Sequence, residues 1–130
     1  MRPVTVLAGV IMNKDNVLIT RRAPKETRSG GWEFPGGKLE ANETHNDCLV
    51  RELSEELAVV VNVGNFCVEI SNDYGDIEIE LLAYYCTIRE GDISLSVHDK
   101  FKWVKVCDLL SCDLLPADIG VARKIVEDFQ

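Results

Sequence analysis

Short runs of apolar residues, several of them alternating with polar ones, recur along most of the chain. Such runs are typical of β-strands that bury one or both faces. The strands predicted from this pattern cover residues 4–12, 17–22, 59–63, 66–71, 77–88 and 101–106. Between the first two, the sequence NKDN at 13–16 predicts a hairpin turn, since Asn and Asp tolerate left-handed backbone. The polar stretch 23–31 predicts a loop, and a short extended segment at 32–40 is broken at Pro35-Gly36-Gly37.

Two stretches instead repeat their apolar residues with a helical period. The first predicted helix covers 43–57, with Asn42 as N-cap, Glu43 in the first turn and an apolar stripe of Leu49, Val50, Leu53 and Leu57. The second covers 117–129, with Ile119, Ala122, Ile125, Val126 and Phe129 on one side. Strands on both sides of a central helix, and a helix at the end, predict an α/β sandwich around a mixed sheet, with residues 1–130 forming one domain.

The end of the first helix carries three carboxylates, Glu52, Glu55 and Glu56. The C-terminal end of a helix has partial negative charge, and the i, i+3, i+4 spacing places these like charges on one face. Their face lies roughly 120° round the helix from the apolar stripe, at the margin of the core, where a cleft would lie. Either they form only a solvated helix face, or a bound cation offsets their repulsion.

Composition narrows the classes of function. Of 130 residues, 46% are hydrophobic and 28% charged, which is typical of a globular protein, and the net charge is −8. That charge argues against binding a nucleic acid polymer, whereas a polyphosphate ligand would require metal ions or a few placed Arg and Lys. We also expect no membrane association, because no apolar run reaches the about 20 residues that span a bilayer. The five cysteines form no CxxC pair and are expected to be reduced, so that we expect a cytoplasmic protein.

The segment from Gly37 carries specified residues at fixed spacing: Gly37, five residues, Glu43, seven residues, Arg51-Glu52-Leu53, one residue, Glu55-Glu56, one residue, Ala58-Val59. It resembles the signature of the Nudix hydrolases at every position except Ala58, where the family has glycine. The sequences WEFPGGKLE and LLPADI are similar to the MutT branch, which covers 8-oxo-dGTP diphosphatases and CTP pyrophosphohydrolases. The resemblance extends over essentially the whole chain and implies a Nudix-type α/β/α sandwich around the mixed sheet.

The resemblance also implies roles for the acidic cluster. The metal ligands would be Glu52, Glu55, Glu56 and the backbone carbonyl of Gly36, around Mg²⁺ or Mn²⁺, which prefer hard oxygen ligands. Glu52 would act as base or ligand. Arg51 would hold a glutamate in place, Glu55 being one turn away, and Glu43 would support the junction between loop and helix. The metal would orient the polyphosphate and acidify a bound water, and a remaining carboxylate would take the proton.

For the substrate, the resemblance places Arg22 and Phe34 near the base or sugar, and Arg21 and Lys38 near phosphate. Solvation of a strand end for Arg21 and core packing for Phe34 stay open. Asp118 stands where MutT-type enzymes carry a base-reading side chain. An ionised Asp only accepts hydrogen bonds, which suits the amino group of cytosine or the N7–H that oxidation creates on guanine. Asp118 could also be the N-cap or a first-turn acid of the last helix, and both roles could coexist.

A second departure from the family is Val97, since relatives often carry a metal-binding glutamate six residues before the tryptophan that is Trp103 here. Either Asp99 replaces this glutamate after a slip, or a ligand is missing; His98 is interpreted as a surface or packed residue.

The resemblance implies an enzyme that hydrolyses an NTP or dNTP to the monophosphate and pyrophosphate, acting on 8-oxo-dGTP or a cytosine nucleotide, as a monomer or homodimer. Two alternatives stay open. One is another Nudix substrate, such as a nucleotide sugar, dinucleotide or RNA cap. The other is a nucleotide-binding module with impaired chemistry.

Overall fold

The computed structural model describes residues 3–24 and 30–130, so part of the predicted loop at 23–31 lies outside the described residues. The elements in chain order are β1 Val4–Asn13, β2 Asn16–Arg22, β3 Trp32–Glu33, β4 Gly36–Lys38, α1 His45–Leu57, β5 Val60–Asp73, β6 Glu78–Glu90, β7 His98–Lys105, a 3₁₀ helix Val106–Ser111, and α2 Pro116–Asp128. The 3₁₀ helix was not predicted from the sequence.

The sheet is mixed, as predicted. Its strands run in the order β3-β2-β1-β6-β5, with β4 beside β1 and β7 beside β2. The central pair, β1 and β6, is parallel, with Val4 opposite Ile79, whereas β1 pairs antiparallel with β4, with Leu7 opposite Gly37. β1 is therefore next to the Gly36–Lys38 strand on one side and to β6 on the other.

Two buried clusters lie on opposite faces of this sheet. Alternate residues of β1 belong to different clusters: Leu7 and Ile11 pack with α1, and Ala8 and Val10 pack with α2. This is the period of two expected of a central strand with both faces covered. The predicted α/β/α sandwich is confirmed, with one helix on each face.

The start of α1 differs from the sequence prediction. The N-cap is Thr44, whose Oγ1 accepts the Asp47 N–H at 3.0 Å, and the helix begins at His45. Asn42 has a φ of 66° and belongs to the preceding turn, so its assignment as N-cap was wrong. Glu43 precedes the helix and is not in its first turn. Asn42 and Thr44 are both good cap residues, and only the left-handed backbone at 42 decides between them.

The end of α1 was predicted correctly. Ala58 is left-handed, with φ 59° and ψ 32°, and its N–H donates to the Ser54 carbonyl at 3.0 Å. An L-residue with a Cβ in this conformation costs about 1 kcal/mol relative to glycine. The chain therefore keeps the helix ending of the family without the residue best suited to it.

Three further expectations were wrong in detail. β5 is one strand from 60 to 73, because β-bulges between Val63 and Val68 absorb the break in the apolar pattern. α2 ends at Asp128, and Phe129 is 47% exposed, so that Ala117 and Val121 complete its buried face. In the β1–β2 turn it is Lys14, with φ 58°, that adopts the left-handed conformation.

Candidate active site

A pocket of about 510 Å³ opens between the end of α1, the start of α2 and the β5–β6 turn. Seven of the predicted site residues line it: Arg22, Phe34, Gly36, Lys38, Glu52, Glu56 and Asp118. Glu52 and Glu56 come from α1, and Asp118 comes with Leu115 and Ala117 from the start of α2. The predicted residues Arg51, Glu55 and Arg21 are not among the described lining residues.

Glu52 is packed against the backbone of the glycine loop. A Cβ added at Gly37 would overlap the Glu52 carboxylate, and one added at Gly36 would overlap the Leu7 backbone carbonyl. Position 36 therefore requires glycine because backbone approaches it closely, whereas a Cβ at position 37 would displace the Glu52 carboxylate. The φ angles of both glycines lie outside the left-handed region.

Arg51 connects four acidic side chains around this loop. Its Nε and Nη2 donate to Glu43 at 2.6 and 3.0 Å, and its Nη1 donates to Glu52 Oε1 at 2.7 Å. The bond to Glu55 is longer, at 3.4 Å, and Glu40 lies 3.8 Å away. The sequence prediction had named Glu55 as the glutamate that Arg51 could hold, whereas the shortest bonds go to Glu43 and Glu52.

Glu43 supports the junction between loop and helix, as predicted. In addition to the two Arg51 bonds, its Oε1 accepts the Glu40 N–H at 3.0 Å. The Arg51 guanidinium, followed by the Glu40 N–H, lowers the pKa of Glu43 to about 2. The Glu43 carboxylate therefore stays charged, and fixes Arg51 beside Glu52.

Glu56 lies deeper in the pocket. Its Oε1 accepts the Gly36 N–H at 3.2 Å. Burial, followed by the charges of Glu33 and Glu52, raises its pKa to about 8. Glu55, by contrast, has a side chain that is 61% exposed. Of the two adjacent predicted ligands, the structure brings Glu56 and not Glu55 to the pocket.

The last turn of α1 is capped by the loop that precedes β7. Ser96 donates twice, from its hydroxyl to the Glu55 carbonyl at 3.0 Å and from its N–H to the Glu56 carbonyl at 3.2 Å. The Ser94 N–H donates to the Leu57 carbonyl at 2.9 Å. These carbonyls have no partner inside the helix, so the loop holds in place the turn that carries Glu55 and Glu56.

Sequence reasoning missed Glu33, which lines the pocket between the two helices. Its Oε2 lies 2.9 Å from His98 Nε2 and 3.4 Å from Arg22 Nη1. His98, expected to be a surface or packed residue, has a side chain that is 1% exposed, and its Nδ1 has no hydrogen-bond partner within the described part of the chain. The alternation of β3 could have placed Glu33 on one face, but nothing local indicates that this face borders a pocket.

Asp118 is 6% exposed, and its Oδ1 accepts the Phe34 N–H at 3.0 Å. Burial, followed by the charge of Glu33, raises its pKa well above the usual range. It lies in the first turn of α2, so the interpretation as a first-turn acid is correct and coexists with a place in the pocket. Phe34 is 4% exposed and belongs to the core, so core packing also coexists with lining the pocket.

Arg21 and Asp99 form a pair on the surface. Arg21 Nε and Nη2 donate to the two carboxylate oxygens of Asp99 at 2.9 and 2.6 Å. The structure does not bring Arg21 to the pocket. It places Val97 there, and Asp99 is not among the described lining residues.

The pocket residues suit a hard divalent cation. Glu52 and Glu56 offer carboxylate oxygens to the same space, and the mutual charge effect that raises the Glu56 pKa would be relieved by a cation there. Over residues 3–24 and 30–130, however, no three His, Cys, Asp or Glu side chains already lie close enough to form a complete metal site. Binding would require water, phosphate or backbone oxygens to complete the coordination, as is usual for Mg²⁺.

The NUDIX domain family matches residues 1–129. This chain belongs to the Nudix family. A CTP pyrophosphohydrolase of Escherichia coli K12 is 31% identical over 119 residues, which cover 92% of this chain and 88% of that protein. An 8-oxo-dGTP diphosphatase of Proteus vulgaris is 42% identical over 90 residues, which cover 68% of this chain and 80% of that protein.

Among solved structures, the E. coli ORF135 protein superposes with a TM-score of 0.85 at 29% identity, covering 98% of this chain and 91% of that one. Together these matches confirm the predicted Nudix fold and a Nudix hydrolase of the MutT branch. Nudix hydrolases generally use divalent metal ions. In the described ranges, no helix is long and apolar enough to cross a membrane.

Proposed function

We propose that this Nudix protein hydrolyses a nucleoside triphosphate to the monophosphate and pyrophosphate, with 8-oxo-dGTP or a cytosine nucleotide as substrate. The observation that carries the proposal is the arrangement of one pocket. Carboxylates that suit a divalent cation come to the pocket from the end of α1, and a buried carboxyl group bonded to the Phe34 N–H comes from the start of α2. A nucleoside triphosphate likewise has two parts, a polyphosphate that a cation neutralises and a base that a polar side chain can recognise.

At the polyphosphate end, Glu52 and Glu56 would hold Mg²⁺ or Mn²⁺, with Glu55 and the Gly36 carbonyl as the further ligands predicted from the sequence. A bound divalent ion neutralises phosphate charge and lowers the pKa of water. Arg51 keeps the Glu52 carboxylate in place through Oε1 at 2.7 Å, so that this side chain can accept a proton from the attacking water. Lys38 lines the same pocket and would supply positive charge toward phosphate, and Arg22, which the sequence resemblance places near the base or sugar, lines it as well.

At the base end, Asp118 would recognise the substrate. Because its pKa is raised, the carboxyl group keeps its proton to higher pH than an exposed Asp. It can therefore donate as well as accept, whereas the sequence argument considered only an acceptor. A buried group that finds no partner on the wrong base is costly, which is the physical source of discrimination.

The test is a panel of normal and oxidised nucleoside triphosphates, nucleotide sugars and dinucleotides, with Mg²⁺ or Mn²⁺ and identification of the products. We expect pyrophosphate and a monophosphate from a triphosphate. Turnover of a nucleotide sugar or dinucleotide with little hydrolysis of triphosphates would contradict the proposal, and nucleotide binding without turnover would indicate a binding module.

Asp118→Ala tests the base end separately. This variant should change the ranking among bases more than the dependence on metal concentration. Asp113→Ala, which changes an exposed Asp just before α2, is the matched control and should change neither. An equal loss on all substrates would refute base recognition by Asp118.

We further propose that the protein acts on free nucleotides in the cytoplasm, as a monomer or homodimer. The net charge of −8 supports small nucleotides over nucleic acid polymers. Competition by single-stranded oligonucleotides at physiological salt tests this, and strong competition would contradict it.

A further inference from the structure

The start of α2 is held on the β3 side of the pocket by backbone bonds. The Trp32 N–H donates to the Asp113 carbonyl at 3.0 Å, and the Leu115 N–H donates to the Trp32 carbonyl at 2.9 Å. Two residues after Trp32, the Phe34 N–H donates to Asp118 Oδ1 at 3.0 Å. These bonds fix the chain that enters the helix.

The turn between β5 and β6 supplies another bond to the start of α2. Tyr74, in the turn between β5 and β6, accepts the Ala117 N–H with its hydroxyl oxygen at 3.1 Å. Tyr74 and Ala117 both line the pocket. The tyrosine thus reaches from the β5–β6 turn to the residue that directly precedes Asp118.

The first amides of a helix lack acceptors within the helix, and a capping side chain usually provides one. The N-cap of α2 is Leu115, which has no side-chain acceptor. Tyr74 supplies the missing acceptor from a different element. The Ala117 N–H belongs to the peptide unit that joins Pro116 to Ala117, one residue before Asp118. Holding this amide therefore fixes the start of the helical turn from which the Asp118 side chain leaves the backbone.

We propose that Tyr74 is a positioning residue for base selection, acting through its bond to Ala117 on the placement of Asp118. The inference rests on the proposed function of the pocket and adds a specificity determinant to it. Loss of the hydroxyl leaves the β3-side bonds in place, so the helix stays docked while its first turn gains freedom. The ratio of kcat/KM values between bases should then change more than the thermal stability of the protein.

The molecule contains a matched comparison at the other end of the same helix. The Tyr85 hydroxyl donates to Asp128 Oδ2 at 2.6 Å, and Asp128 lies in the last turn of α2. Tyr85 is not among the described residues that line the pocket with Asp118. Tyr74→Phe and Tyr85→Phe therefore each remove one hydroxyl that anchors α2, one beside the pocket and one away from it.

The experiment measures kcat/KM for triphosphates of different bases, at one fixed metal concentration, for the wild type and both variants, together with Tm. A lost hydrogen bond of this kind should shift the ratio of kcat/KM values between two bases about two- to tenfold in Tyr74→Phe. Tyr85→Phe should lower Tm and leave the ratio at its wild-type value. An unchanged ratio in Tyr74→Phe, or an equal change in both variants, would overturn the proposal.

A double-mutant cycle shows whether the effect passes through Asp118. In the Asp118→Ala background, adding Tyr74→Phe should produce no further change in the ratio, because the group being positioned is gone. A change of the same size in that background would refute positioning through Asp118. If the wild type released no pyrophosphate from any triphosphate, the proposed reaction would fail, and the same cycle measured on nucleotide dissociation constants would still decide the role of Tyr74.

Discussion

The two helices deliver carboxyl groups to one pocket from opposite helical ends, the half-buried Glu56 and the buried Asp118. Glu56 lies in the last turn of α1, where the helix dipole opposes negative charge, and Asp118 lies in the first turn of α2, where the dipole favours it. The dipole alone would shift their pKa values in opposite directions. Both pKa values are instead raised, with burial as the first cause and the charge of Glu33 as the second in each case.

Burial and neighbouring charge therefore have a larger effect on these two pKa values than the position of the residue on its helix. Glu43 shows the opposite shift with no helix involved, since it lies outside any helix and its contacts with Arg51 lower its pKa to about 2. The two ends also differ in how they are held. Backbone amides and Tyr74 anchor the start of α2, whereas the end of α1 requires caps from a separate loop and a glycine beside Glu52.

The strongest test of this comparison is Glu56→Gln. We expect a loss of roughly 10²-fold or more in kcat, because the amide cannot serve as a charged ligand or base. Thermal unfolding in EDTA should show a protein at least as stable as the wild type, because the substitution removes a carboxylate disfavoured by burial. The exposed neighbour provides the control: Glu55→Gln should cost less. If Glu55→Gln lowered kcat as much as Glu56→Gln, then Glu55 would take part in the reaction despite its exposed position in this structure.

Ser96→Ala tests the loop that caps α1. Loss of the hydroxyl bond to the Glu55 carbonyl should reduce the free energy of unfolding by about 1 kcal/mol. It should also weaken Mn²⁺ binding measured by calorimetry, since the last turn carries Glu55 and Glu56.

Ser94→Ala is the matched control for that variant, because Ser94 caps the helix with its backbone amide. It should leave both quantities near their wild-type values. Equal effects in the two serine variants would show that the Ser96 hydroxyl does not position the helix end.

Glu43→Gln tests the charged contacts around Arg51 through their pH dependence. The pKa of Glu43 falls from 4.5 to about 2 on folding, so the folded state favours the charged carboxylate. Its contribution to stability is fully present above pH 4.5 and is lost as the pH falls toward 2. Urea unfolding at several pH values should therefore show a smaller loss of stability in this window for Glu43→Gln than for the wild type. Parallel curves for the two proteins would contradict the assignment.

The smallest expected effect is at Ala58. Ala58→Gly should raise the free energy of unfolding by about 1 kcal/mol, because glycine adopts the left-handed conformation without strain. Chemical denaturation measures this, and kcat should change little because the helix already ends with the same geometry. A stability decrease would mean that the extra freedom of glycine in the unfolded chain outweighs the relief of strain.

The sequence predicted much of this molecule because its main signals are local. The apolar stripe predicts α1, and the spacing of Glu52, Glu55 and Glu56 predicts a metal site at its end, all from about fifteen residues. The start of α1 was mistaken because Asn42 and Thr44 carry equally good cap chemistry. The break in the pattern at Gly64-Asn65 was interpreted as a gap between strands, since a bulge is not visible without its partner strand.

The rest of the site depends on contacts between distant positions. Glu33 of β3 meets His98 of β7 only when both strands pair with β2, and Asp99 meets Arg21 only when β7 pairs with β2. Neither contact can be predicted from a short stretch of sequence, because the residues that make it lie far apart along the chain. For the same reason Arg21 was expected near phosphate, although its partner across the sheet directs it to the surface.

The parallel pairing of β1 with β6 has a consequence for how the protein acquires its activity during synthesis. Val4 leaves the ribosome before its neighbour Ile79, which is made only after the whole glycine loop, α1 and β5. The segment that carries the Nudix signature is therefore complete before the strand that pairs with β1, and before Asp118, which lines the same pocket. Long-range pairing of this kind is slow to form, so a nascent chain should remain unable to bind nucleotide until its last helix has emerged.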